Sequence, residues 1–288
     1  MRPRRIGTSG AVDVKAIGRF ALRHMSALSR LPAGERAAAS LEMFLAALQG
    51  RGGGSGWDSA GQVAILARMA KPAKGAVIVD VGANNGHWSR GLSARLGDPS
   101  AQFHLFECAP YCFDPLADSA ARIGNARVVH KAVSETSGRQ VLHLPDTRPG
   151  TGSGLASLHA RKDTSVHQHD YKTLEVETVC LDDYVAEAGL ARIDILKIDV
   201  EGHELAVLKG AQRTLAQGLV GCIFFEFGSG NVNSRTYFRD FWELLTPMGY
   251  AFFRVLPGGR ALPVGEYADM CEYFRGATNY ICLRAPAG

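Results

Sequence analysis

Apolar positions recur along this chain in two distinct rhythms. From residue 77 onward, short runs rich in Val, Ile, Leu and Phe stand apart from one another: "AVIVDV", "QFHLFE", "ARVVHKAV", "IDILKIDV", "CIFFEF", "YAFFRVL" and "NYICLR". Each is too short for most helices and predicts a buried strand. Between several of them lie helical candidates, notably "HWSRGLSARLG", "FDPLADSAARIG", "ELAVLKGAQRTLAQG" and "TYFRDFWELLTPMG". Strand and helix in alternation imply right-handed crossovers and a parallel sheet covered on both faces, an α/β fold. The last two strands are joined by a stretch that is mostly loop-like, which predicts an antiparallel pair closing one edge.

The N-terminal part follows the helical period. Val14, Ile17, Ala21, Met25 and Leu28 stand at near-heptad spacing, and Leu41, Phe44, Leu45 and Leu48 share one face, so two amphipathic helices are expected. The "GRGGGSG" run predicts a flexible joint, and "WDSAGQVAILARMAKP" a third helix stopped before Pro72. The organisation expected is a helical extension with its joint over residues 1–56 and a main domain over residues 57–288. Residues 145–172 break the pattern: they are polar, glycine-bearing, and hold His159, His167 and His169 without a period. A long loop of this kind predicts a lid or binding loop, the alternative being a disordered insertion.

With 46% hydrophobic and 21% charged residues, the 288-residue chain has the makings of one large domain plus an accessory segment. No apolar run approaches the ~18 residues of a membrane span, and the basic N-terminus is not followed by a signal-peptide core. The six cysteines form no CxxC pair and no metal-finger spacing. These features predict a soluble, unsecreted protein of the reducing cytoplasm. The net charge is +4, and residues 1–60 hold nine Lys/Arg against four Asp/Glu, so all the positive excess is N-terminal. Such a segment could touch nucleic acid or an anionic surface, but a solvated terminus is the commoner explanation.

Chemistry gathers where the strands end. In "VIVDVGANNGHWSR" a buried strand runs through Asp80 into Gly82, Ala83, Asn84, Asn85 and Gly86 before a helix starts. A strand, a glycine turn and a helix N-terminus bring free backbone N–H groups to one spot, which suits the polar end of a small ligand. Glu107, at the end of the second strand, lies 21 residues after Gly86. That is the separation at which an acid on the second strand of such folds holds the two hydroxyls of a ribose. An adenosine-containing ligand follows. The turn lacks the middle glycine of the dinucleotide pattern GxGxxG, favouring a ligand without pyrophosphate. Further acids close other strands: Asp199, Glu201 and Glu204 with His203 in "KIDVEGHE", and Glu226 in "FFEF".

Taken in order, "VDVGANNG", "FECAP", "TVCLDDY", "LKIDVEGHELAVLKGA" and "FFEFG" closely resemble the FkbM family of S-adenosylmethionine-dependent methyltransferases. The resemblance covers roughly residues 75–285 and leaves the first sixty outside. It implies a Rossmann-like class I methyltransferase fold, a seven-stranded, mostly parallel sheet with an antiparallel last strand. It also implies transfer of a methyl group to a hydroxyl of a sugar, glycan or polyketide-type natural product. Where the family runs from the acid almost directly to proline, this chain has "FECAP", a local change that should leave Glu107 in place. By the resemblance, Gly82, Ala83, Asn84, Asn85 and Gly86 would hold the methionine part and Glu107 the ribose. Asp80 would orient the loop, Ala132 and Val133 would border the adenine, with Ser134 and Glu135 nearby, and Asp199 would face the transferred methyl. Asp80 and Glu204 could equally cap the helices that follow them.

A hydroxyl is a poor nucleophile, and its proton needs a base or a metal that lowers its pKa. Asp199, His203 and Glu226 are the groups available. His203 suits a base near neutral pH, although a satisfied histidine at a helix N-terminus is the alternative. Asp199 and Glu226 could instead hold Mg²⁺ through oxygen, a choice the sequence leaves open. The expected partner is a small-molecule or glycan acceptor, with the N-terminal helices covering the cofactor or making a homodimer. A nucleic-acid methyltransferase is the rival enzyme, but the fourth strand lacks the Asn/Asp-Pro-Pro-aromatic motif that holds a flipped base. A non-catalytic adenosine-ligand-binding subunit is the rival outside enzymes, and the strand-end acids argue against it.

Overall fold

The computed structural model describes residues 32–52, 59–145, 153–161 and 171–285. The expected helix over Val14 to Leu28, residues 53–56 of the glycine run, and His167 and His169 lie outside them. The chain divides into two compact units, Met1–Leu45 and Ala46–Gly288. In the first, the described part belongs to helix α1 (Pro32–Leu48), whose Leu41, Phe44 and Leu45 share one exposed face as the periodicity requires.

The second unit opens with α2 (Ser59–Ala70), β1 (Val77–Val81), α3 (His87–Leu96), β2 (Gln102–Phe106), α4 (Phe113–Ile123) and β3 (Ala126–Val129). A three-stranded excursion follows, β4 (Ala132–Ser134), β5 (Gly138–Pro145) and β6 (Tyr171–Cys180), then α5 (Leu181–Glu187). The chain returns through β7 (Ile193–Ile198), α6 (Glu204–Lys209), α7 (Gln212–Ala216), β8 (Val220–Gly228), α8 (Ser229–Ser234) and α9 (Phe238–Leu245). It closes with β9 (Tyr250–Leu256), β10 (Arg260–Val264) and β11 (Ala277–Arg284).

The main sheet has the order β10-β9-β11-β8-β7-β1-β2-β3, parallel from β8 to β3. Strand β11 is antiparallel to both β8 and β9. The mostly parallel sheet is as expected, with one addition. The sheet has eight strands instead of seven because "RALPV" pairs with β9 as an edge strand, a position where Pro263 is tolerated. The antiparallel last strand is as expected, but it sits inside the sheet and β10 closes the edge.

Both faces of the central strands are covered, so these strands are largely apolar and alternate residues feed two cores. Val79, Leu196, Phe225 and Tyr280 pack toward α5, α6 and α9. Ile78, Ile195, Phe103 and Phe224 pack toward α2, α3 and α4. The run "ARVVHKAV" makes two strands, because the chain turns at His130, with Lys131 N–H donating to Val129 O at 2.9 Å, and Ala132–Ser134 joins β6 in the small sheet. The run "ELAVLKGAQRTLAQG" makes two helices. A Cβ at Gly210 would fall 2.1 Å from Ser134 O. The Gly210 carbonyl also turns outward to accept from Asp182 N and Cys180 Sγ.

Candidate functional site

Strand β1 is followed by β2 on one side and has β7 on the other, so the chain order reverses between β1 and β7. That is where open α/β sheets bind ligands, beyond the carboxyl ends of the strands. A cavity of about 920 Å³ opens there. It is lined by the turn after β1, by Glu107, Lys131, Ala132 and Val133, by Lys197 and Asp199 to Glu201, by His203 and by Glu226. Helix α2 (Gln62, Val63), Trp88 of α3, and Ser157 and Leu158 of the loop between β5 and β6 form its other walls.

The turn needs its glycines. Gly82 has φ 79°, and a Cβ there would lie 1.9 Å from the carbonyl oxygen of Asp199. Gly86 has φ 75°, with the Ser119 side chain 2.6 Å from a Cβ position. Gly82, Ala83, Asn84 and Asn85 line the cavity, whereas Gly86 is buried behind them. Asp80 also stands behind the cavity and does not line it. Its side chain is fully buried, accepting from Ser89 Oγ at 2.6 Å and from Lys197 Nζ at 3.0 Å. It ties the first turn of α3 to β7 and caps no helix by backbone contact.

Glu107 reaches back to the turn. Its Oε2 accepts from Asn84 N–H at 2.8 Å, and its Oε1 from Cys108 and Ala109 N–H at 2.9 and 2.8 Å. Burial pushes its pKa up despite these bonds. A carboxylate offers about four acceptor sites, so three backbone bonds leave room for a ligand donor on Oε2.

Lys197 is the residue that strand-end reasoning passes over. Lying between Leu196 and Ile198, it points to the face opposite theirs, its ammonium bonded to Asp80 and to Gly82 O at 3.0 Å and 3.5 Å from Asp199 Oδ2. A lysine inside the apolar "DILKID" run was the available signal, since a charge there must find buried partners. The Asp199 side chain is 42% exposed, open to the cavity.

His203 is buried, with Nε2 2.9 Å from Ser134 Oγ and Nδ1 3.0 Å from His159 Nε2. Burial, then His159, holds its pKa down to about 4, so the ring is neutral. His159 belongs to the expected lid, whose described part is anchored at three further points. Ser157 exchanges backbone bonds with His143 of β5, Ser157 Oγ donates to Glu201 O at 2.8 Å, and Arg161 pairs with Glu201. Burial raises Glu201 to about 8 against the pull of Arg161. Glu204 accepts from Gly202 and Val200 N–H and from Asn231 Nδ2, organising the turn before α6, and burial raises it to about 7. The Glu226 side chain makes no hydrogen bond or ion pair among the described residues. Burial and the nearby Asp199, Glu201 and Glu204 push its pKa well up.

Among the described residues no group of three or more His, Cys, Asp or Glu is arranged to hold a metal, and no helix is long and apolar enough to cross a membrane. The six cysteines are all unpaired.

The chain is 30% identical over 148 residues to 2-O-methyltransferase NoeI of Sinorhizobium fredii, covering 49% of this chain and 59% of that protein. It is 34% identical over 158 residues to 31-O-demethyl-FK506 methyltransferase FkbM of Streptomyces tacrolimicus, covering 48% and 60%. With hexuronic acid methyltransferase AglP of Haloferax volcanii it shares 27% identity over 140 residues, covering 48% and 51%. The matches thus span between half and three-fifths of these relatives. The model of the methyltransferase FkbM domain matches residues 80–252, from Asp80 in the first strand to Phe252 in β9, and the chain therefore belongs to the FkbM methyltransferase family.

Proposed function

We propose that the protein is an S-adenosylmethionine-dependent O-methyltransferase acting on a hydroxyl of a sugar, glycan or related natural product. The observation that carries this reading is the convergence of the Gly82 turn, Glu107 and Asp199 on one cavity at the point where the strand order reverses. The cavity has the size of a small-molecule site, and its residues fit the cofactor. The turn offers close backbone approach, Glu107 keeps an acceptor site free for a ribose hydroxyl, and Ala132 and Val133 give an apolar border for adenine. When bound, S-adenosylmethionine supplies a methyl group on a positively charged sulfur, which an acceptor oxygen displaces in line.

The protein's own part is to align the acceptor and take its proton. Asp199 is the group we assign to that proton. Its carboxylate is open to the cavity and lies 3.5 Å from the Lys197 ammonium. Both ring nitrogens of His203 are engaged, so His203 serves as a brace between β4 and the loop carrying His159. Lys197 brings a positive charge to the place where Asp199 and Glu226 would hold Mg²⁺, so we favour the metal-free route. The nucleic-acid and non-catalytic readings gain nothing from the relatives, whose names describe methyltransferases, two of them of O-methyl groups. The unpaired cysteines suit a cytoplasmic protein. The apolar face of Leu41, Phe44, Leu45 and Leu48 suits a homodimer through the N-terminal helices.

Calorimetric titration with S-adenosylhomocysteine and, separately, with NAD⁺ tests the cofactor. Binding of the first and not the second is expected; the reverse overturns the reading.

A further inference from the structure

Each acid around the cavity except one has a partner. Glu107 is held by backbone amides, Asp199 lies 3.5 Å from Lys197, Glu201 pairs with Arg161, and Glu204 binds backbone and Asn231. Glu226 lines the same cavity, and its side chain makes no hydrogen bond or ion pair among the described residues. Strand order fixes its half of the site. Glu107 follows β2 and the glycine turn follows β1, whereas Glu226 lies near the carboxyl end of β8, two strands beyond β1 on the other side. It faces the region left for the acceptor once the cofactor lies over β1 and β2.

The cations nearby are committed. The three donors of Lys197 are matched by Asp80, Gly82 O and Asp199. Arg161 is paired with Glu201, and Lys131 with Glu177 at 3.0 Å. Arg95 also lines the cavity, but it stands at the far end of α3, two turns from the strand ends. A carboxylate entering beside Glu226 therefore meets two acids and no uncommitted cation among the described residues of that half.

We propose that Glu226 is a specificity-determining residue: it accepts a hydrogen bond from a hydroxyl or ammonium group on the acceptor, so that a neutral or amino sugar is taken and its carboxylated counterpart is refused. This rests on the methyl-transfer reading. An acidic sugar, of the kind in the name of AglP, is the class this cavity excludes.

The test uses the full chain, methyl-labelled S-adenosylmethionine, and a cell metabolite extract separated by ion exchange into neutral, basic and acidic fractions. Label at least tenfold higher in the neutral or basic fraction than in the acidic one is expected. Label mainly in the acidic fraction overturns the proposal while leaving methyl transfer intact; no label in any fraction overturns methyl transfer itself. In Glu226→Gln, the acidic-to-neutral ratio of label should rise at least tenfold. S-adenosylhomocysteine affinity within twofold of wild type serves as the control for folding. An unchanged ratio overturns the assignment to Glu226, and Glu226→Ala gives the same reading should the glutamine variant fail to fold.

Discussion

The ammonium of Lys197 lies 3.0 Å from Asp80 Oδ1, in a place where the lysine side chain is 5% exposed and the aspartate not at all. One cation thereby fixes the floor of the site: it joins β7 to β1, holds the carbonyl of Gly82 and faces Asp199. Removing one partner of a buried pair leaves an uncompensated charge, at a cost of about 3–5 kcal/mol. Lys197→Met should lose roughly that much stability in urea titration, and Lys197→Met with Asp80→Leu should recover a large part of it. Equal losses in the single and double variants would show that the charge on Asp80 is not what Lys197 neutralises.

The Glu107 carboxylate serves the loop and, in the proposed function, the ribose. Glu107→Ala should weaken S-adenosylhomocysteine binding by about 1.5–3 kcal/mol, the worth of charged hydrogen bonds. Glu107→Gln keeps one oxygen acceptor for the backbone amides and should retain more stability than affinity. A folded alanine variant with unchanged affinity in calorimetry would remove Glu107 from the cofactor site.

Two glycines with positive φ separate backbone strain from close approach. At Gly97, φ is 60° and a Cβ meets open space; at Gly82, φ is 79° and a Cβ runs into Asp199 O. Gly97→Ala should cost only the left-handed conformation, about 1–2 kcal/mol. Gly82→Ala should cost more and abolish S-adenosylhomocysteine binding. Comparable melting temperatures for the two variants, with binding kept, would mean the turn adapts.

Opposite pH limbs belong to His203 and Glu204. His203, at about 4 in the folded protein against about 6.5 unfolded, contributes stability that is present above pH 6.5 and lost as pH falls through 4. This limb amounts to at most about 3 kcal/mol. Glu204, raised to about 7, works the other way. Its contribution is present below about 4.3, the unfolded value, and is lost as pH rises through 7, where Glu201, at about 8, adds to the fall. His203→Gln should flatten the acid limb of a stability profile and Glu204→Gln the alkaline one. An unchanged acid limb in His203→Gln would contradict a histidine held neutral by burial.

How far the sequence shows this structure depends on how each element is buried. Strands β1, β2, β7 and β8 are covered on both faces, so they read as continuous apolar runs, and the acids at or just past their ends stand out against them. Strands β5 and β6 pair as a half-solvated ribbon carrying Arg139, Glu175 and Glu177, and no apolar run announces them. The break at Gly210 comes from a backbone approach to Ser134, 76 residues away in sequence, which no local pattern encodes. Within the site, Asp199 and Glu226 follow from strand ends, but the commitment of His203 depends on His159 and Ser134, brought in from a loop and a second sheet. Lys197 was visible as a charge in an apolar run, yet its partners became evident only with the register of β1 against β7.

In the proposed function this cavity moves a methyl group from S-adenosylmethionine to a hydroxyl oxygen whose proton is taken by Asp199. The most direct measurement is single-turnover transfer of a ¹³C-methyl group to an acceptor isolated from extract, followed by NMR of the product, for wild type and Asp199→Asn. A methyl signal on oxygen is expected, with full activity in the presence of a chelator and a rate roughly 10²–10⁴-fold lower in Asp199→Asn with unchanged S-adenosylhomocysteine affinity. A methyl group on nitrogen or carbon, or an Asp199→Asn variant as fast as wild type, would contradict it.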